Sequence, residues 1–360
     1  MRNKTMDVML ALGIIFVVMG HNYQPSIFFI PAYTFQVALF FFVSGYFFKA
    51  KINFRDKLIW LKKKLINLLG PYFIYNILYA LITFYLLSRG VSLGVSTGEK
   101  FNFYRFFITP FVNGHQYFLY LAAWFVPQLF LIHLSAQLLI IKEKKIYIFG
   151  ILLISLTLSY LFISNRPSEQ GDLLLVLGRT AFGLSFYLLG KLLNIFETKI
   201  KKYLCLPETF LLICILYISL ESFFGGFKYS LVFGEFSNNP MATLSGTTLA
   251  ILMIYIISDY IGKSISENSL ILKIGQNTFS IMANHLLVFL FINFILYKFS
   301  LIPAASLSNV FFNYNVGRSW FVYLILGISL PLLFSLFIKR LMRSKVSSLT
   351  PLNFLKTTLK

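Results

Sequence analysis

Residues 146–163 read IYIFGILLISLTLSYLFI, without one charged side chain, and the four residues ahead of them are Lys142-Glu143-Lys144-Lys145. A helix rises about 1.5 Å per residue, so about 20 apolar residues cross the roughly 30 Å of bilayer hydrocarbon. A run of this kind, with lysines at one end, reads as a transmembrane helix and its cytoplasmic flank. Nine further candidates lie around it, at about 7–23, 30–48, 66–88, 118–140, 173–195, 206–223, 241–261, 276–296 and 319–338. The whole composition agrees. Of 360 residues 58% are apolar and 12% are charged, and the charged fraction is about half that of an ordinary soluble domain. A soluble fold of this length has no place to hide so much apolar surface, and a disordered chain would be polar.

The loops alternate in charge. Arg2 and Lys4 precede the first span. Lys49, Lys51, Arg55, Lys57, Lys62, Lys63 and Lys64 fill what reads as the loop after the second. Lys142, Lys144 and Lys145 follow the fourth, Lys199, Lys201 and Lys202 the sixth, Lys263 and Lys273 the eighth, and six more close the chain. The opposite loops hold only Arg89, Lys100, Arg105, Arg166, Lys228, Lys298 and Arg318. The positive-inside rule places the basic segments in the cytoplasm, and ten spans put both termini there. The net charge of +20 is thus mainly a topology signal with a secondary pull on anionic lipid. It is not one basic face, so no nucleic-acid partner is expected. The expected fold is an all-α polytopic helix bundle, a membrane domain over 1–345 with a short cytoplasmic tail over 346–360. Arg2 and Lys4 ahead of an apolar run also suit a signal peptide, but Asp7 interrupts the start and no small-residue cleavage site follows, so the first helix is read as retained. The outer loops at about 89–117, 223–240 and 297–318 are long enough to cover a site.

Polar groups inside spans are costly and therefore functional candidates. His21 closes the first span in Val17-Val18-Met19-Gly20-His21-Asn22, near the outer boundary. His285 lies in the ninth, about ten residues or 15 Å from its inner end, where an imidazole needs a partner. A helix–helix hydrogen bond is the competing use for it. Arg179 sits in the outer part of the sixth span, where a fixed charge costs about 2.5–3.5 kcal/mol; Glu221 is a candidate counter-ion. Asp7 either acts at the inner side or complements the helix N-terminus. It is about 21 Å along the helix from His21, so the two form no dyad. His115 reads as a loop residue and His133 as a packing residue. Cys205 and Cys214 give neither a disulfide framework nor a metal pattern, and no metal is expected. No nucleotide-binding glycine loop, hydrolase nucleophile elbow or zinc-protease motif is present.

In their order these segments resemble the membrane acyltransferase 3 family. Asp7 with Gly20-His21 matches its opening helix. Leu39-Phe40-Phe41-Phe42-Val43-Ser44-Gly45-Tyr46-Phe47 matches its run ending in Ser-Gly-Tyr, and Leu69-Gly70-Pro71-Tyr72 follows a basic stretch as it does there. Trp124-Phe125-Val126-Pro127, Gly178-Arg179-Thr180 with Phe186 and Gly190, and Gly275-Gln276-Asn277-Thr278 leading to His285 complete the likeness. It departs where Leu10 stands three residues after Asp7 in place of the family's usual Arg or Lys, which removes a first-helix cation from any role with the acyl donor.

The resemblance implies an integral-membrane O-acyltransferase of the bacterial plasma membrane, most similar to the subgroup that acetylates surface sugars. Acetyl-CoA would be the donor substrate, from the cytoplasm, and a hydroxyl of an envelope polysaccharide or glycolipid the acceptor. Acyl transfer to a hydroxyl needs a base and oxyanion stabilisation. An imidazole, with an ordinary pKa near 6.5, is a neutral base at pH 7. His21 is the expected base or covalent acyl relay and His285 a second relay group. Arg179 is expected to meet developing negative charge or the glycan, and Lys62, Lys63 and Lys64 to hold the CoA phosphates. A transporter or flippase of lipid-linked glycans, or a polymerase, is the alternative. A transporter should show inverted repeats with broken spans, and Gly70-Pro71 has no counterpart.

Overall fold

The computed structural model describes residues 3–22, 30–93, 103–112, 117–141, 143–165, 173–236 and 239–348. Eight of the ten apolar segments lie in helices long and apolar enough to cross a membrane, whereas the first and second hold helices of 17 and 11 residues. In chain order the helices are α1 (Lys4–Gly20), α2 (Gln36–Tyr46), α3 (Phe54–Lys64), α4 (Gly70–Ser88), α5 (Phe103–Phe107), α6 (Thr109–Val112), α7 (Phe125–Leu139), α8 (Lys145–Asn165), α9 (Leu173–Leu204), α10 (Pro207–Phe224), α11 (Pro240–Ser264), α12 (Leu270–Gly275), α13 (Thr278–Lys298) and α14 (Val316–Ser348). Among the described residues eight stretches are long and apolar enough to cross a membrane. The first two helices are shorter, and α1 is central: it packs on α2, α11, α12, α13 and α14. His115 and residues 349–360 lie outside the described residues.

Lipid and core faces separate cleanly. Isoleucines and leucines of α4, α8 and α10, such as Ile74, Ile154 and Leu211, lie exposed on the outside. Water would expel such a surface; hydrocarbon accepts it. Inside, glycines let backbones touch, as lipid-embedded helices need in the absence of a hydrophobic drive between them. A Cβ on Gly45 of α2 would lie 1.8 Å from the carbonyl oxygen of Tyr187 on α9, and one on Gly190 of α9 would lie 1.9 Å from that of Phe42 on α2. The α2–α9 crossing is therefore a reciprocal glycine contact. The α8–α9 seam is joined by hydroxyls: Ser185 Oγ donates to Ser155 Oγ at 3.2 Å and lies 3.1 Å from Ser159 Oγ.

The stretch before the third apolar segment is not the loop its lysines suggested. Phe54–Lys64 is helical, buries no residue and runs on through a π-helical turn, Leu65–Leu69, into α4. Pro71 accounts for the turn, because it has no N–H to give the carbonyl four residues back and its ring crowds that carbonyl. At the predicted outer side a short hairpin, β1 (Tyr229–Ser230) and β2 (Glu235–Phe236), pairs Tyr229 with Phe236. A 3-10 turn, Ala304–Ser308, lies in the last outer loop.

Candidate active site

The site is built at the C-terminal end of α1. Asn3 caps the helix start, its side chain accepting from the Met6 backbone N–H at 3.2 Å, and the helix runs without interruption to Gly20. His21 follows as the C-cap residue. A second helix delivers its partner. Gly275 closes α12 at a point where a Cβ would lie 1.9 Å from the Asp7 carbonyl oxygen, and Gln276 Nε2 donates to Asp7 Oδ2 at 3.2 Å. From that contact α13 runs beside α1, and ten residues beyond Gly275 comes His285. The two helices meet at Asp7–Gly275 and again at His21–His285, in the same order, so they are parallel.

His285 Nε2 lies 3.0 Å from His21 Nδ1. Fourteen helical residues separate Asp7 from His21, about 21 Å, and ten separate Gly275 from His285, about 15 Å. His285 is buried and His21 half-buried.

The hydrogen bonds fix where the protons sit. His285 Nδ1 is 3.0 Å from the Ile281 carbonyl oxygen and 2.9 Å from that of Met282. Carbonyl oxygens only accept, so this nitrogen carries the hydrogen. With both rings neutral, His285 Nε2 then holds a lone pair and accepts from His21 Nδ1. The proton on His21 is thereby assigned to Nδ1 and the lone pair to Nε2. The second ring orients the first and leaves one nitrogen as a base. If Nε2 of His21 takes up a proton, the imidazolium still points its Nδ1–H at His285, which stabilises the charge.

Aromatic rings bracket the pair. Phe311 stacks on His21 with centroids 5.9 Å apart, and Tyr33 meets its edge at 6.2 Å. Tyr33 is held at a positive φ of 66°, a conformation that costs a non-glycine residue about 1–3 kcal/mol. Its hydroxyl donates to the Gly20 carbonyl oxygen at 2.9 Å, and its own carbonyl accepts from the Tyr229 N–H of β1 at 2.8 Å. Beside His21, Asn22 Nδ2 donates to the Trp320 carbonyl at 2.7 Å. Phe289 meets His285 edge-on at 5.8 Å.

The other candidates lie elsewhere. Arg179 is fully buried on α9. Its Nε donates to the Leu231 carbonyl at 3.2 Å, its Nη1 to that of Val112 at 3.1 Å and its Nη2 to that of Val232. Backbone carbonyls, rather than the candidate counter-ion Glu221, receive the guanidinium, which fastens the hairpin turn and α6 to α9. Asp7 sits in the first turn of α1, at the far end from His21, where it joins α1 to α12. The lysines of α3 divide: Lys62 and Lys63 are exposed, but Lys64 turns inward. Its Nζ lies 2.9 Å from His133 Nε2, and His133 Nδ1 lies 2.8 Å from the Tyr187 hydroxyl. His133, read as a packing residue, thus uses both nitrogens to link α3, α7 and α9. Tyr33, Phe311 and Asn22 had no sequence signal at all.

Because Gly275 sets the height of α13 against α1, Gly275→Ala is expected to part the two imidazoles and lower activity while the chain remains in the membrane. A cysteine pair placed at positions 21 and 285 checks this directly, since its cross-linking yield should fall when Gly275→Ala is added.

These features define an all-α polytopic helix bundle in which two imidazoles from α1 and α13 meet. The family model described as an acyltransferase domain matches residues 3–340, and the chain belongs to this acyltransferase 3 family. No curated protein and no solved structure matches the chain.

Proposed function

We propose that this acyltransferase moves an acetyl group from cytoplasmic acetyl-CoA to a hydroxyl of an envelope polysaccharide or glycolipid in the bacterial plasma membrane. The observation that carries the reading is the 3.0 Å contact between His285 Nε2 and His21 Nδ1 in a chain of this family. His21 Nε2 removes the acceptor's hydroxyl proton as the oxygen attacks the thioester carbonyl. The new C–O bond forms, the C–S bond breaks, and the proton held by His21 returns to the departing thiolate. His285 holds the ring in the required tautomer and shares the charge while the proton is on it. Covalent passage of the acetyl group through His21 Nε2 uses the same free nitrogen. Lys62 and Lys63, exposed at the predicted inner side, suit the CoA phosphates. Lys64, engaged by His133, suits them less. Arg179 supports the site indirectly, by holding the hairpin turn and α6 to α9.

Proton NMR of surface glycan, before and after mild base, tests the assignment in cells carrying the wild-type gene, no gene, or His21→Ala. O-acetyl signals that require both the gene and His21 are the expected result. Unchanged acetylation with a collapse of glycan export or chain length on deletion would replace this reading with the transporter or polymerase.

A further inference from the structure

A cavity of about 230 Å³ lies between α9 and α11, and neither imidazole lines it. Among its α9 lining residues are Phe186, Leu189, Leu193, Phe196 and Ile200. These positions repeat every three or four residues, so they form one stripe along the helix. From Phe186 to Ile200 the stripe runs about 21 Å, more than the roughly 15 Å of hydrocarbon in one leaflet. The α11 wall adds Thr248, whose hydroxyl is already spent on the Leu244 carbonyl of its own helix at 2.8 Å. The groove therefore asks for an apolar chain and offers nothing to a sugar or a nucleotide.

Its predicted inner end is polar and basic. Tyr255 donates to Glu197 Oε1 at 2.9 Å, and Lys201 pairs with Asp259 at 2.7 Å, which clasps α9 to α11 below the groove. The carboxylates there are thus engaged: Tyr46 and Lys201 also reach Glu197, and Lys263 also pairs with Asp259. Two lysines adjoin lining residues. Lys145 places its ammonium over the ring of Phe196, 4.9 Å from the centroid, and Lys199 is exposed one residue before Ile200. We propose that the groove is a binding site for an anionic diacyl phospholipid, one acyl chain lying along the α9 stripe and the phosphate set between Lys145 and Lys199. The apolar length selects an acyl chain, and the charge at its end selects an anionic headgroup over a zwitterionic one.

Native mass spectrometry of the full chain, released from nanodiscs of phosphatidylglycerol mixed equally with phosphatidylethanolamine, tests the site. Retention of one phospholipid per chain, with phosphatidylglycerol preferred, is expected. Lys145→Gln and Lys199→Gln should each cut that preference about fivefold without emptying the groove, and Leu189→Trp, which fills it, should abolish retention in a protein that still elutes as a single species. Equal retention of the two lipids, a preference untouched by the lysine variants, or retention unchanged by Leu189→Trp would overturn the proposal. So would cross-linking of Leu189→Cys between two chains at high yield, because a second copy would then occupy the groove. None of these outcomes depends on acyl transfer.

Discussion

Replacing His21 with alanine is expected to lower the rate of acyl transfer about 10²–10⁴-fold, the usual worth of a positioned general base, while the protein stays folded. The residue lies one position past the last helical residue of α1, so its loss leaves the helix's packing intact. The local cost is an unpaired His285 Nε2, worth about 1–3 kcal/mol as a buried acceptor without a donor. A rate loss of this size beside a thermal midpoint in detergent lowered by only a few degrees separates a chemical role from a structural one.

The largest effect on stability is expected at the α2–α9 crossing. Gly45→Ala and Gly190→Ala each drive a methyl group into a backbone carbonyl, at 1.8 and 1.9 Å. A side chain can rotate away from such a contact, but a hydrogen-bonded helix backbone cannot. Overpacking of side chains costs about 1–3 kcal/mol, and each of these substitutions is expected to exceed that range. Because both act on one interface, their combination should cost less than the sum of the two. The readout is the yield and thermal midpoint of monodisperse protein after extraction. Gly150→Ala on α8 is the control: nothing lies within 4 Å of its added Cβ, and alanine favours the helix, so stability should hold or rise.

The helices were legible because hydropathy and lysine placement are local signals, and eight of the ten apolar segments found a helix long enough to span. Even there, Phe54–Lys64 passed for a loop. Its lysines mark the inner side of the membrane, and an amphipathic helix with no buried face carries no stronger mark than a charged loop. The site was legible one residue at a time. His21 and His285 each stood out as polar groups among apolar ones, but their pairing joins residues 264 apart in sequence and depends on where Gly275 meets Asp7. Helix arithmetic measured each from its own end and put them at different depths. Arg179 shows the same limit in another form. A buried cation announces itself in sequence, but the carbonyls of Val112, Leu231 and Val232 that receive it belong to no residue type and leave no trace there. His133 was readable as buried, whereas its link from Lys64 to Tyr187 needed three helices in place.

The central claim is that His21 and His285 act as one unit in acyl transfer. Inverted membrane vesicles carrying the native glycan, supplied with acetyl-CoA labelled in the acetyl group, give the rate for the wild type, His21→Ala, His285→Ala and the double variant. A single unit predicts that each substitution lowers the rate and that the double variant is no slower than His21→Ala alone. Independent, multiplying losses, or a His21→Ala protein that transfers at the wild-type rate, would contradict it.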